Sequence, residues 1–198
     1  MLMGAEMAYT AKDYEKALHI YKQLKDKAAS MERRQLAKTG MLRSAHMLGN
    51  EEEIIFTATD LLADTKLAPE LSNEAHYYRA KAYLDAGKTD RAMEDLKILA
   101  KDTRNVYGAE AKYKVAQIYF DGGQTDKAEQ EVLNYIEVST PHTYWLARSF
   151  VLLADVYMKL GRNLDAKQYL LSLKQNYQAD DDIAGMIESR LEKLKTEN

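Results

Sequence analysis

Residues 77–96 read YYRAKAYLDAGKTDRAMEDL and residues 113–132 read YKVAQIYFDGGQTDKAEQEV; eight of the twenty positions agree at a shift of 36 residues. The agreement centres on a short phrase that occurs five times. Lys12-Asp13-Tyr14-Glu15-Lys16-Ala17 is the first copy, and Gly49-Asn50-Glu51-Glu52-Glu53-Ile54 is the second and most divergent. Gly87-Lys88-Thr89-Asp90-Arg91-Ala92, Gly123-Gln124-Thr125-Asp126-Lys127-Ala128 and Gly161-Arg162-Asn163-Leu164-Asp165-Ala166 follow. Their last residues, 17, 54, 92, 128 and 166, are 37, 38, 36 and 38 apart. A period in this range restricts the chain to stacked supersecondary units, because one unit alone cannot bury its apolar face.

Each phrase joins two segments of helical periodicity. Tyr77, Ala80, Tyr83 and Leu84 fall at helical spacing before Gly87, and Ala92, Leu96 and Leu99 after it. The glycine sits where the first helix must stop, at a position of positive φ. The second helix then packs back antiparallel after a short turn. Ala80 with Ala92, Ala116 with Ala128, and Ala154 with Ala166 mark the closest crossing of each helix pair. A larger side chain there would overpack the contact, at about 1–3 kcal/mol. Tyr83, Tyr119 and Tyr157 share one position, and their rings are expected between helices with each hydroxyl on a polar partner. With Gly87, Gly123 and Gly161 these residues form the structural signature of the last three copies.

This signature resembles the tetratricopeptide repeat: a small residue and an aromatic on the first helix, a Gly-containing turn, then Ala on the second. The resemblance covers nearly the whole chain. It implies an all-α fold, an α-solenoid of stacked antiparallel hairpins in a right-handed superhelix, that binds other proteins without catalysis. The hairpins are placed at 1–29, 31–67, 72–103, 106–138 and 143–177, within one repeat domain spanning 1–198. The second departs from the pattern: Leu42 takes the small position, Ala45 replaces the Tyr and Ile54 the Ala, so its helices are expected further apart. The 36–38-residue spacing is similar to longer-helix variants common in bacterial envelope assembly proteins, which implies a bacterial cytoplasmic or periplasmic setting.

The two ends differ. Asp180, Asp181 and Asp182 precede an apolar stripe of Ile183, Ile187, Leu191 and Leu194. This reads as a terminal capping helix over 180–196, with the acids at its N-terminus. At the other end only ten residues precede the first phrase, and Met1, Leu2, Met3 and Met7 form an apolar surface. The expectations are a C-terminal fragment of a longer array and self-association through that uncovered face, or a short frayed starting helix.

In the family the first helix of each hairpin lines a concave groove. Carried onto this chain, the groove positions are Thr39, Arg43, His46 and Met47 in the second repeat and Glu74, Tyr77, Lys81 and Leu84 in the third. The fourth supplies Glu110, Tyr113, Gln117 and Phe120, and the fifth Arg148, Val151, Asp155 and Met158. Tyr77 and Tyr113 share a position. They suit a peptide or helix ligand, since aromatic anchors dominate interface energetics; they would equally fill gaps between hairpins. Some family members clamp a C-terminal carboxylate with lysines, asparagines and an arginine. Here no asparagine pair is present, and Glu74, Glu110 and Asp155 interleave with Arg43 and Lys81, so a clamp is not expected.

Other functions find little support. Formal net charge is -3, against a binder that works by neutralising phosphates. No cysteine is present, which removes thiolate metal sites and cysteine nucleophiles. The histidines at 19, 46, 76 and 142 form no ligand pair at helical spacing, and Gly122-Gly123 lacks the Lys-Ser/Thr of a phosphate loop. No cofactor, metal, nucleic acid or reaction is assigned. The basic run Arg33-Arg34-Gln35-Leu36-Ala37-Lys38 reads as a solvated helix face. No apolar run approaches the roughly 20 residues of a membrane span, and MLMGAEMAYT is not a signal sequence. The reading is a protein-interaction scaffold; the alternative is a regulatory or assembly domain that uses its ends or convex face, with any catalytic part upstream.

Overall fold

The computed structural model describes residues 1–196. Eleven α-helices and no strand occur among them. They run as α1 (Leu2–Thr10), α2 (Tyr14–Asp26), α3 (Met31–Leu48), α4 (Glu51–Leu62), α5 (Pro69–Asp85), α6 (Thr89–Leu99), α7 (Val106–Asp121), α8 (Thr125–Glu137), α9 (Thr143–Lys159), α10 (Asn163–Asn176) and α11 (Ile183–Thr196). They form five helical pairs and a last single helix. The third pair starts earlier than residue 72, because Pro69 occupies the first helical turn, where its missing N–H costs nothing. None of the described helices is long and apolar enough to cross a membrane.

Four turns share one hydrogen-bond device. Gly87 and Gly123 take φ of +70° and +74°, as do Gly49 and Gly161 within a few degrees. The next residue's N–H then reaches back to the Tyr position: Lys88 to the Tyr83 carbonyl at 2.7 Å, Gln124 to Tyr119 and Arg162 to Tyr157 at 2.8 Å each. This closure ends the first helix and fixes the exit direction of the second. The first hairpin makes the same bond, Asp13 N–H to the Ala8 carbonyl at 2.9 Å. There Lys12 holds φ of +61°, a conformation a β-carbon disfavours.

The contacts group the chain into two compact units, Met1–Ile98 and Leu99–Asn198. In the first, α1, α3 and α5 form one layer and the second helices pack behind it. Ala5, Ala17, Leu18 and Tyr21 are buried at one end, and Leu42, Ala45, Ile54, Ala58 and Leu61 further on. Helices α2 and α3 pack closely: a β-carbon on Gly40 would stand 2.4 Å from the Tyr21 ring. Leu42 and Ile54, the departures from the repeat pattern, are both buried in one apolar cluster.

In the second unit α7, α9 and α11 form the corresponding layer. Its core runs from Ala116 and Ala128 through Leu152, Leu153 and Leu170 to Ile183, Ile187, Leu191 and Leu194. The terminal stripe therefore faces inward as expected. The three signature tyrosines are unequal: Tyr157 is buried, whereas Tyr83 and Tyr119 are half-buried. Tyr157 is covered by the Tyr169 ring, 5.6 Å away, and by the Arg162 guanidinium at 4.1 Å. Burial, with Tyr169 and Glu129 nearby, pushes its hydroxyl up to about 12.

Candidate functional site

The first-helix layers carry every groove residue expected from the sequence, four on each of α3, α5, α7 and α9. On the first unit, Thr39 is buried and donates its hydroxyl to the Gln35 carbonyl at 2.8 Å. Arg43 donates from Nε and Nη2 to the two oxygens of Glu74 at 2.6 and 2.8 Å. Those hydrogen bonds hold the Arg43 guanidinium above its ordinary value. The His46 ring stacks on Tyr78 at 4.2 Å, and burial with Lys81 nearby lowers its imidazole. Tyr77 leans on Tyr78, with the Lys81 ammonium 5.5 Å from its ring centre. Leu84 is half-buried and Met47 exposed.

On the second unit the same register is filled by side chains that hold one another. Tyr113 is buried and donates its hydroxyl to Gln117, whose amide donates to Asp121, both at 2.8 Å. Its ring meets Trp145 at 5.7 Å. The Arg148 guanidinium lies 5.1 Å from the Tyr113 ring and 5.8 Å from Tyr144. It also donates to the Tyr144 hydroxyl at 2.9 Å and to Asp182 at 3.3 Å. Asp155 accepts two bonds from Arg190 of α11, each 2.7 Å. Glu110 pairs with Lys114 at 3.6 Å, and Lys159 lies over Phe120 at 5.1 Å. Val151 is buried and Met158 packs against the core.

The first unit holds an open cavity of about 420 Å³ on its first-helix layer. Glu6 and Tyr9 of α1, Tyr21 of α2, Glu32 and Leu36 of α3, and Leu71 of α5 form its walls. Of the expected groove residues only Thr39 and Arg43 reach it. Three of the others, Glu6, Tyr9 and Leu36, were legible in the repeat itself. Taking Lys12 as the counterpart of Gly87 puts Glu6 and Tyr9 in the register of Lys81 and Leu84. Taking Gly49 likewise puts Leu36 in the register of Glu74.

Two charged clusters are buried away from the cavity. Asp95 is 1% exposed and accepts from Arg79 and His76 at 2.7–2.9 Å. Burial alone would raise its carboxyl; the bonds from Arg79 and His76 overcome that and hold it below the usual range. Lys38 does not lie on a solvated face: it is buried, with its ammonium 3.0 Å from Asp60 and 2.7 Å from Asp64. Arg33 and Arg34 are exposed. Asp181 accepts from the Ile183 N–H at 3.0 Å, which caps α11 as the acidic run suggested. No group of three or more metal-ligating side chains occurs among the described residues.

Two tetratricopeptide-repeat family models match, over residues 74–102 and 147–175. Those two segments are tetratricopeptide repeats. Both matches begin within a first helix and end in or just past the second, so they fall on the hairpins of the third and fifth repeats. Solved structures show the same fold over nearly the full length. That of MamA aligns over 98% of this chain and 97% of its own, with TM-score 0.66 and 19% identity. A tetratricopeptide repeat protein from Parabacteroides merdae aligns over 98% and 91%, with TM-score 0.58 and 15% identity. TTC0263, a thermophilic TPR protein of Thermus thermophilus, aligns over 94% and 95%, with TM-score 0.53 and 19% identity. At such identities the likeness speaks for the fold alone. No curated protein sequence matches the chain. The repeats support a protein-interaction scaffold as the general role.

Proposed function

We propose that this repeat protein is a non-catalytic scaffold that binds a peptide or helix of a partner protein on its first-helix layer. The observation that carries the reading is the cavity on α1, α3 and α5. Its volume, about 420 Å³, lies in the range of pockets that receive a ligand group. Tyr9 and Leu36 line it, and Leu36 is 42% exposed. Tyr77 and Lys81 continue along α5 on the same unit. The arginine that borders it, Arg43, is held by Glu74 rather than poised for proton transfer. The repeat spacing fits a bacterial cytoplasmic or periplasmic setting.

A second reading rests on a separate observation. Met1, Met3 and Met7 are 56%, 74% and 67% exposed on α1, which fits assembly through an end, including self-association. Site-specific photocrosslinking separates the two. A crosslinker at Leu36 should capture a partner, and Tyr9→Ala should abolish that capture. Capture from Met3 alone, unaffected by Tyr9→Ala, would favour assembly through the end and defeat the groove.

A further inference from the structure

We propose that the cavity between α1, α2, α3 and α5 selects a lysine or arginine side chain of the bound segment. The inference rests on the reading of that layer as a binding surface and adds the chemistry of what enters it. Three features converge on a cationic side chain.

The first is uncompensated negative charge. Glu6 on α1 and Glu32 at the start of α3 line the cavity from different helices. Neither takes part in an ion pair among the described residues. Its own backbone N–H and Ser30 hold the Glu32 carboxyl below its ordinary value. The only cation lining the cavity is Arg43, and both oxygens of Glu74 already occupy it. The cavity therefore presents two carboxylates and no free cation. An acidic side chain would be repelled, and a basic one drawn in.

The second is the pair of aromatic walls. Tyr9 and Tyr21 face the space from α1 and α2. A ring face attracts an ammonium or guanidinium at close range, and more strongly where water is partly excluded. Tyr21 is only 7% exposed, and the missing β-carbon of Gly40 lets its ring stand against α3.

The third is the aliphatic surface leading to those groups. Leu36 and Leu71 flank the cavity from α3 and α5. Lysine and arginine carry long apolar stems that pack on such a surface while the charged head reaches polar groups. A short cation would forgo that contact, and a purely apolar chain would leave the carboxylates unanswered.

The probes are acetylated, amidated peptides Ala-Ala-X-Ala-Ala with X as lysine, arginine, norleucine or glutamate. They are titrated into the full chain while the amide signal of Gly40 and the ring signals of Tyr21 are followed by NMR. The lysine and arginine peptides should shift these signals and bind roughly five- to tenfold tighter than norleucine, the sum expected of an exposed ion pair and a cation–π contact. Glu6→Gln with Glu32→Gln should cut that preference to the smaller part the tyrosine rings supply, without disturbing the Gly40 signal of the free protein. Equal binding by norleucine, tighter binding by glutamate, or no lysine-dependent shift at Gly40 each overturns the proposal. Equal binding by norleucine at the same signals defeats the charge selection alone and leaves the binding layer standing. Loss of partner capture from Leu36 would defeat the layer itself.

Discussion

The two units carry the same hairpin, and their first-helix layers contrast in character. In the second, the positions that could meet a ligand hold each other: Tyr113 with Gln117 and Asp121, Arg148 between Tyr113 and Tyr144, Asp155 with Arg190. In the first, one bidentate pair, Arg43–Glu74, crosses the layer, and beside it a cavity stays open. The most buried carboxylate of that unit, Asp95, sits between the two helix layers instead. A repeat therefore fixes where side chains stand without fixing whether they are available. Availability depends on what the neighbouring first helix offers at the same height. Where α9 and α11 offer Arg148 and Arg190, the layer closes on itself; where α1 offers Glu6 and Tyr9, it remains open.

The sharpest way to break this comparison is to remove the buried charge behind the open layer. Asp95→Ala leaves Arg79 and His76 facing a buried vacancy, with Arg79 keeping its 3.0 Å bond to Thr59. Loss of one partner from a buried pair costs about 3 kcal/mol or more, read as a lower urea midpoint for the first unit. The pH dependence follows from the lowered Asp95 carboxyl. Its stabilisation is complete above the unfolded value of about 3.9, and it is lost as pH falls through the lower folded value. The gap between wild type and Asp95→Ala should thus narrow below about pH 4. A gap unchanged into strong acid would show that Asp95 acts through packing rather than charge.

Tyr113→Ala and Tyr77→Ala test the same register in the two settings. Tyr113 is 8% exposed, with Trp145 and Arg148 against its ring. Its removal should cost about 3 kcal/mol, in line with other buried aromatics. Tyr77 is half-buried, and its removal should cost under about 1 kcal/mol. Thermal unfolding of both variants decides it; similar losses would erase the distinction between a closed layer and an open one. Sequence could align these tyrosines but not separate them. The alignment reports a position on α5 or α7, whereas burial depends on Arg148 and Trp145, residues 32 to 35 places further on. The hairpins, their turns and the capping stripe were legible because they repeat or keep helical period. Lys38 was not: its partners Asp60 and Asp64 lie on another helix, and a lysine in a basic run looks solvated. Glu6 and Tyr9 were legible only once Lys12 was recognised as standing where glycine stands elsewhere.

Two helical glycines sharpen the contrast next. A β-carbon on Gly108 would come 1.9 Å from the Asp102 carbonyl oxygen and 2.7 Å from that of Leu99. These are backbone atoms at the start of α7, so Gly108→Ala must displace the helix. The expected loss is at the top of the overpacking range, about 3 kcal/mol. Gly40→Ala meets the Tyr21 ring instead, and that ring borders the open cavity. It can swing towards empty space, so the loss should be nearer 1 kcal/mol. Part of the cavity would then be filled. In the peptide titration Gly40→Ala should weaken lysine-peptide binding severalfold while lowering stability by only about 1 kcal/mol. A large stability loss with unchanged binding would mean that the cavity does not yield.

The smallest effect is a gain. Four turns place glycine at positive φ, but the first hairpin uses Lys12 at +61°. A β-carbon in that conformation costs about 1–2 kcal/mol. Lys12→Gly relieves this strain while returning conformational freedom to the unfolded chain, at roughly 0.5–1 kcal/mol. The net expectation is a stabilisation of about 0.5 kcal/mol, read as a small rise in the urea midpoint. Because Lys12 ends α1, the same change should leave Glu6 and Tyr9 in register and the lysine-peptide affinity unaltered. A drop in that affinity would show that the strained turn holds α1 in place. The openness of the first unit's layer would then depend on a residue that departs from the repeat.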